Sequence, residues 1–166
     1  MANEITPYQL APALDLVAIR GNSDYYPRLR NFAPESARGT LAQIVAMAYT
    51  YTGRRFDDNE LRFVASSLYN ELMADNDRCG CANITPQEVA HAIRQAIIAD
   101  SMYGINVASL YKAVRNYCLG EGQDAQRAAN ARKTEERRKA LGATPAGALL
   151  ATYAGKLLES SNTTEQ

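Results

Sequence analysis

Apolar residues recur every three or four positions along much of this chain, which is the period of an α-helix with one buried face. One such stripe lies within residues 34–52, and a second lies within residues 57–72. Gly53 is suited to end the first helix, and Asp57 or Asp58 is suited to cap the second. Because the connection between the stripes is short, the pattern predicts two helices that pack antiparallel.

The chain before these helices is less regular. Residues 1–10 have no period and are predicted to form an arm, and residues 12–20 fit a short helix that Gly21 ends. The loop at residues 22–33 is rich in aromatic residues and in arginines that lie within or beside it. Such a loop is suited to stack on bases or to contact a partner. The alternative is a loop held to the core by its aromatic residues, with its arginines in water.

The clearest helix start in the sequence precedes a third long helix. Thr85 is a suitable N-cap, Pro86 suits the first helical position, and Glu88 completes a capping box. The apolar run that follows is predicted to continue as a helix to Met102.

A short break follows this run and is predicted to form a tight turn. Gly104 can adopt the left-handed conformation that ends a helix, and Asn106 can cap a fourth helix that the pattern extends to Tyr117. Two helices joined in this way form a helix-turn-helix unit.

The last quarter of the chain has a different character. Residues 123–141 fit a helix with almost no large apolar residue, which is typical of a solvated extension or of a helix that meets a charged partner. Gly142 is suited to end it. An apolar stripe within residues 146–158 then predicts an amphipathic helix, and we expect the polar tail at residues 160–166 to be mobile.

No run of alternating β-branched residues is present in the sequence. The predicted fold class is therefore all-α, a compact domain of about five or six helices that contains the helix-turn-helix-like pair. A polar helix and a C-terminal amphipathic helix follow this domain. We assign residues 1–120 to the helical core domain, residues 121–159 to the charged helix and the amphipathic helix, and residues 160–166 to the tail.

Composition narrows the class of protein. Apolar residues make up 46% of the 166 residues, which favours a folded chain. No run approaches the roughly 18 apolar residues that a membrane span needs, and the first residues lack the basic and apolar regions of a secretory signal. Three cysteines, an odd number, argue against a disulfide framework. We therefore expect a cytoplasmic protein with no membrane partner.

Charge is balanced overall but unevenly distributed. The formal net charge is zero, so the molecule as a whole is not an electrostatic attractor for nucleic acid. Every lysine, however, lies at or after Lys112, and residues 111–139 hold eight basic residues against four acidic ones. This segment is the most basic part of the chain.

Signatures of catalysis are missing from the sequence. It has no phosphate-binding Walker loop, no dinucleotide glycine fingerprint, no paired-histidine metal helix and no nucleophile elbow. Cys79 and Cys81 have a spacing suited to a metal or to disulfide exchange, but zinc needs about four ligands, and only Cys118 and His91 are left to join them. His91 lies off the apolar stripe and is predicted to be exposed. We expect no metal site, no cofactor and no enzymatic activity.

Residues 104–114 read Gly-Ile-Asn-Val-Ala-Ser-Leu-Tyr-Lys-Ala-Val. They resemble the turn and recognition helix of resolvase-type and transposase-type helix-turn-helix domains, whose pattern runs Gly-Ile-Ser, two variable residues, Thr-Leu-Tyr-Arg, one residue and Leu. The resemblance implies that Gly104 is the turn glycine and that Ile105, Leu110 and Val114 face the core. The sequence departs from the pattern at Asp100, where those domains keep a small residue.

The same resemblance implies which side chains meet DNA. They are Ala108, Ser109, Lys112 and Arg115. More loosely, residues 84–117 are similar to small proteins of Bacteroidetes phages and mobile elements, some of whose neighbours act in phage DNA replication.

Together these features predict a non-enzymatic DNA-binding or DNA-replication accessory protein of a phage or mobile element. The helix at residues 106–117 would approach the major groove, while the basic helix would contact phosphates. The side chains predicted to contact phosphates are Arg127, Arg132, Lys133, Arg137, Arg138 and Lys139. The expected partners are duplex or single-stranded DNA and a replication or virion protein.

The alternative function is a helical protein-protein adaptor, or a virion or structural component, that makes no contact with DNA. It would work through the polar helix at residues 123–141 and the C-terminal apolar stripe. The stripe at residues 146–158 also offers a surface for self-association into a homo-oligomer.

Overall fold

The computed structural model describes residues 15–74, 81–102, 104–143 and 149. These residues form six α-helices and two short 3₁₀ turns, and none of them lies in a β-strand, so the predicted all-α fold is confirmed. The helices are α1 (Leu16–Gly21), α2 (Pro34–Tyr51), α3 (Asp58–Ala74), α4 (Pro86–Ile98), α5 (Val107–Leu119) and α6 (Glu121–Gly142). The 3₁₀ turns are Leu29–Asn31 and Cys81–Asn83.

Several predictions from sequence lie outside the described residues. They are the N-terminal arm, the position of Cys79, the C-terminal amphipathic helix apart from Leu149, and the tail. Residue contacts divide the chain into two units, Met1–Gln126 and Arg127–Gln166. Helices α1 to α5 and the start of α6 belong to the first unit, and the rest of α6 belongs to the second. The domain division predicted at residue 120 stays a prediction.

The core of the first unit is built from the apolar faces of α2, α3, α4 and α5. Helices α2 and α3 pack along each other, α4 packs on α2, and α5 packs on both α3 and α4. Fully buried aliphatic side chains on these four helices include Leu41, Ile44, Leu68, Leu72, Val89, Ile93, Leu110 and Val114. Each such side chain contributes about 1.5–3 kcal/mol by leaving water. Packing of the amphipathic faces therefore provides most of the stability of these helices.

The predicted start of α4 is confirmed in detail. The backbone N–H of Glu88 donates to Oγ1 of Thr85 at 3.2 Å, and the backbone N–H of Thr85 donates to Oε2 of Glu88 at 2.9 Å. These reciprocal bonds form the capping box, with Pro86 in the first turn. Thr85 and Glu88 are both fully buried. This cap therefore places an acidic side chain inside the protein.

The predicted end of this helix at Met102 is wrong, because α4 ends at Ile98. Asp100 has a φ of 48°, so it adopts the left-handed conformation that usually falls to glycine at this place. Aspartate is one of the few residues other than glycine that enters this conformation with a small steric cost. The helix closes at Asp100, and Gly104, with a φ of 91°, lies in the following connection.

Two backbone hydrogen bonds complete this helix end. The N–H of Asp100 donates to the carbonyl of Ile97 at 3.1 Å, and the N–H of Ser101 donates to the carbonyl of Ala96 at 3.0 Å. This pair of bonds is a Schellman motif. The connection to α5 therefore spans residues 99–106, which is longer than the three or four residues common in DNA-binding helix-turn-helix units.

Tyr49 joins three parts of the first unit. Its hydroxyl donates to Oε1 of Glu60 on α3 at 2.7 Å and lies 3.4 Å from the carbonyl oxygen of Ile105, just before α5. Burial, together with the hydrogen bond to the Glu60 carboxylate, raises the pKa of Tyr49 to about 12. The phenol thus keeps its proton in the folded protein over a range in which an unfolded chain would lose it.

We expect Asp100→Gly to raise the free energy of unfolding by about 0.5–1 kcal/mol, because glycine adopts a positive φ without a steric cost. Urea unfolding followed by circular dichroism measures the change. Asp100→Ala is the control, since it removes the carboxylate but keeps the Cβ, and it should be less stable than Asp100→Gly. A glycine variant less stable than the natural protein would contradict the left-handed assignment.

We also expect stability to fall as the pH rises from about 10 to 12, because Tyr49 ionises in the unfolded chain near pH 10 and in the folded chain near 12. Its contribution is complete below pH 10 and is lost through the higher pKa. Tyr49→Phe should lower stability at pH 8 by about 1 kcal/mol through the lost hydrogen bond, and should show a shallower fall at alkaline pH. Equal slopes in the two proteins would refute this role.

Candidate functional site

The residues that the helix-turn-helix resemblance assigns to DNA lie near the start and middle of α5. Ala108, Lys112 and Arg115 are exposed and follow each other at a spacing of four and three, so they share one face of the helix. Ser109 is half-buried, and its backbone N–H donates to Oδ1 of the N-cap Asn106 at 2.9 Å. The structure thus brings three of the four side chains to one exposed face.

The core-facing positions implied by the same resemblance are buried. Leu110 and Val114 have no exposed surface, and Ile105 has almost none. The inward face of α5 is therefore as predicted.

A groove of about 430 Å³ lies between α4 and α5. Alanines and a methionine form much of its lining, notably Ala92, Ala96 and Met102. Ser109 and Lys112 also line it, so the predicted DNA-contacting face borders a concave surface. Lys112 thus lines the groove and is also exposed to solvent.

In the second unit, the predicted phosphate-contacting residues are all exposed on α6. They are Arg127, Arg132, Lys133, Arg137, Arg138 and Lys139. Three of them pair with glutamates of the same helix. Nε of Arg132 lies 3.1 Å from Glu136, the guanidinium of Arg138 makes two 3.0 Å bonds to Glu135, and Nζ of Lys139 lies 3.7 Å from Glu135.

These surface pairs do not remove the basic character of α6. Each exposed ion pair contributes little and is weakened by salt, so its cation remains available to another anion. Lys133 and Arg137 have no ion-pair partner among the described residues, and they lie four positions apart on one face. This face is an exposed basic surface in the described part of the second unit.

A site that sequence reasoning missed lies around Glu88. Its side chain accepts hydrogen bonds from four residues, Arg20, Arg28, Thr85 and Tyr117. Arg20 donates through Nε to Oε1, and Arg28 lies 3.5 Å from Oε2 through Nη1. The Tyr117 hydroxyl donates to Oε1 at 2.9 Å. Two guanidinium groups therefore share one buried carboxylate.

This arrangement corrects the prediction for the loop at residues 22–33. Arg28 and the neighbouring Arg20 turn into the protein, each with less than a tenth of its surface exposed, whereas Tyr25 is 74% exposed. The aliphatic Leu29 is fully buried in the core, and Phe32 is the aromatic residue of the loop that packs against the core. The interpretation with arginines in water is thus wrong for two of the three arginines, and only Arg30 is exposed. The one sequence signal for this cluster is the capping box. Its bond from the backbone N–H of Thr85 uses one carboxylate oxygen of Glu88 and leaves the other oxygen to accept from further donors.

Burial dominates the electrostatics of this cluster. Desolvation lowers the pKa of Arg28 more than the Glu88 carboxylate raises it, and the neighbouring Arg20 and Arg30 lower it further. Burial and the Glu88 charge raise the pKa of Tyr117 far above its usual value, so Tyr117 remains a donor. Because Arg20 and Arg28 share the single carboxylate of Glu88, the cluster holds more positive than negative charge.

The cysteines and the histidine form no metal centre in the described residues. Cys81 and Cys118 are both buried, and their mutual hydrogen bond, together with burial, raises the pKa of the Cys118 thiol strongly. A protonated buried thiol is a poor nucleophile and a poor metal ligand. No group of three or more metal-ligating side chains occurs in the described ranges.

The prediction of an exposed His91 is wrong. Its side chain is only 15% exposed, because Nε2 lies 3.2 Å from Oε2 of Glu121 and the ring packs edge-on against Tyr117 at 5.8 Å between centroids. The start of α6 thus covers this part of α4.

Comparison of the chain with protein-family models, curated proteins and solved structures yields no match. Within the described ranges, no helix combines the length and the apolar character that crossing a bilayer requires.

We expect Glu88→Gln to lower the free energy of unfolding by about 3–5 kcal/mol, because it leaves two buried guanidinium groups without their counter-charge. Chemical denaturation at pH 7 measures this loss. Tyr117→Phe, which removes one donor and leaves the charges in place, should cost about 1.5–3 kcal/mol.

Glu136→Gln is the matched control for the Glu88 variant, because it removes an exposed carboxylate that pairs with a single arginine. It should change stability by less than about 0.5 kcal/mol. Similar losses for the two glutamate variants would show that the buried charge has no special role.

Proposed function

We propose that the protein is a non-enzymatic, cytoplasmic DNA-binding or DNA-replication accessory protein of a phage or mobile element. The observation that carries the proposal is the exposed basic stretch of α6 from Arg127 to Lys139, called here the basic stretch. It holds six basic and two acidic residues, and large apolar side chains are missing from it. A helical surface of this composition has no core to join and is suited to an anionic partner.

The shape and charge of the basic stretch suit a nucleic acid backbone. Its length is about 20 Å at 1.5 Å per residue, and duplex DNA carries one negative charge per about 1.7 Å of its axis. Lys133 and Arg137 lie on one face with no competing carboxylate partner among the described residues. Neutralising phosphates with such side chains releases counterions, which is the main source of sequence-independent affinity.

The exposed face of α5 is a second element of the proposal. Lys112 and Arg115 would contact DNA there, with the smaller Ala108 and Ser109 near the start of the helix. The resemblance to resolvase-type domains supports this role, whereas the long connection at residues 99–106 departs from their usual geometry. We therefore assign the affinity chiefly to the basic stretch and only a secondary contribution to α5.

The decisive experiment measures binding of fluorescent duplex and single-stranded oligonucleotides between about 50 and 300 mM NaCl. The double variant Lys133→Ala, Arg137→Ala should bind more weakly. If both residues contact phosphates, it should also lose about 1.8 units from the slope of log K against log salt for the duplex. Alanine keeps the helix, which circular dichroism should confirm.

The control for this experiment removes the same charge elsewhere. Arg55 and Arg62 are exposed in the first unit, and Arg55→Ala, Arg62→Ala changes the net charge equally. The control should bind almost as the natural protein does. Equal losses in both double variants would show that only net charge matters, and no binding by the natural protein at 50 mM salt would refute the proposal.

The second candidate function, a helical adaptor without DNA contact, has one observation in its favour. The groove between α4 and α5 is concave and is lined by both apolar and polar side chains, and such a pocket can receive an anchor side chain of a partner protein. The same titration separates the two functions, because an adaptor would leave the oligonucleotide unbound at every salt concentration.

A further inference from the structure

Three arginines of the first unit converge on one cleft of about 620 Å³. Arg20, Arg28 and Arg30 line it, together with uncharged polar side chains that include Asn31 and Asn83. No acidic side chain is among the described residues that line the cleft. The cleft is therefore a concave surface with cationic and amide donors.

The charge balance beneath this cleft is incomplete. Glu88 is the carboxylate that both Arg20 and Arg28 contact, and Arg30 has no ion-pair partner among the described residues. Three guanidinium groups thus accompany one carboxylate. Because only Arg20 and Arg28 are buried with Glu88, the buried group carries one uncompensated positive charge, which is unfavourable unless an anion balances it.

The buried arginines are also held in fixed positions. Arg28 donates from Nη1 to Glu88 and from Nη2 to the backbone carbonyl of Arg20 at 3.2 Å. Arg20 donates from Nε to Glu88. Its Nη2 packs close to Gly122 at the start of α6, so close that a Cβ added to this glycine would lie 3.2 Å from it. Because these side chains are already ordered, a ligand would not have to bear the entropy cost of fixing them.

We infer that this arginine cleft is a binding site for a phosphate group. Guanidinium groups match a tetrahedral oxyanion through paired N–H donors, and a phosphate would supply the negative charge that the cluster lacks. The group has two possible sources, the backbone of a nucleic acid and a free phosphate or phosphoester. The inference goes beyond the proposed function, because the cleft is built entirely from residues of the first unit and uses none of the basic stretch.

The test measures the melting temperature by thermal unfolding and the affinity by isothermal titration calorimetry, with inorganic phosphate as the probe. Phosphate should raise the melting temperature of the natural protein above that in NaCl of equal ionic strength, since a ligand that binds only the folded state stabilises it. Arg30→Ala should weaken phosphate binding by about tenfold, the effect of losing a charge-assisted contact. Arg30 is exposed and outside the Glu88 cluster, so its removal should leave the fold intact.

Two control variants make the assignment specific. Arg62→Ala removes an exposed arginine of α3 that does not line the cleft, and it should bind phosphate like the natural protein. Lys133→Ala, Arg137→Ala should also retain phosphate binding. Stabilisation that does not exceed that of NaCl, an equal loss in the two single arginine variants, or a loss confined to the variant of the basic stretch would overturn the inference.

A competition arm distinguishes the two sources of phosphate. Displacement of a short single-stranded oligonucleotide by inorganic phosphate, with sensitivity to Arg30→Ala, identifies the nucleic acid backbone as the ligand. Phosphate binding without such displacement identifies a free phosphate or phosphoester. If the natural protein binds phosphate but no oligonucleotide, the proposed function fails while the cleft assignment stands.

Discussion

The carboxylate of Glu88 is the interaction on which the first unit depends. Through Thr85 it closes the first turn of α4, through Arg20 and Arg28 it holds α1 and the following loop, and through Tyr117 it holds α5. A charge without exposed surface must be matched by donors, because no water replaces them. The cluster therefore couples α1 and the loop that follows it to α4 and α5. The cluster adds little net free energy to folding, because burying the charges is costly. Any arrangement that separates the partners would leave a buried charge unpaired and would be strongly destabilised.

Charge in this protein is organised locally, although its net value is zero. In the first unit, arginines are drawn together by one carboxylate and line a cleft, whereas in the second unit lysines and arginines follow an exposed helix. Several acidic residues stabilise the fold through hydrogen bonds. Glu60 accepts one from the Tyr49 hydroxyl, and Asp57 accepts one from the backbone N–H of Glu60 at the start of α3. Local potential, and not the total, determines where an anionic partner is attracted. A balanced sequence can thus present strongly basic surfaces.

The parts of the fold that were predictable from sequence are those set by local rules. The stripe of apolar residues at a helical spacing and the capping box at Thr85 both depend on residues a few positions apart. The end of α4 was not predicted because both Asp100 and Gly104 can adopt the left-handed conformation that ends a helix. Asp100 comes first along the chain, and the helix ends there. The arginine cleft was missed for another reason. Arg20 and Glu88 are 68 positions apart, and only the tertiary fold shows that they meet.

That separation has a consequence for the order in which the chain becomes structured. Arg20 and Arg28 leave the ribosome long before Glu88, so the N-terminal segment is made before the carboxylate that both arginines contact in the fold. The capping bonds of Glu88 to Thr85 can form early because they are local, but closing the long loop back to α1 has an entropy cost that must be overcome first. We therefore expect the N-terminal arginines to dock late in folding, after α4 and α5 have formed.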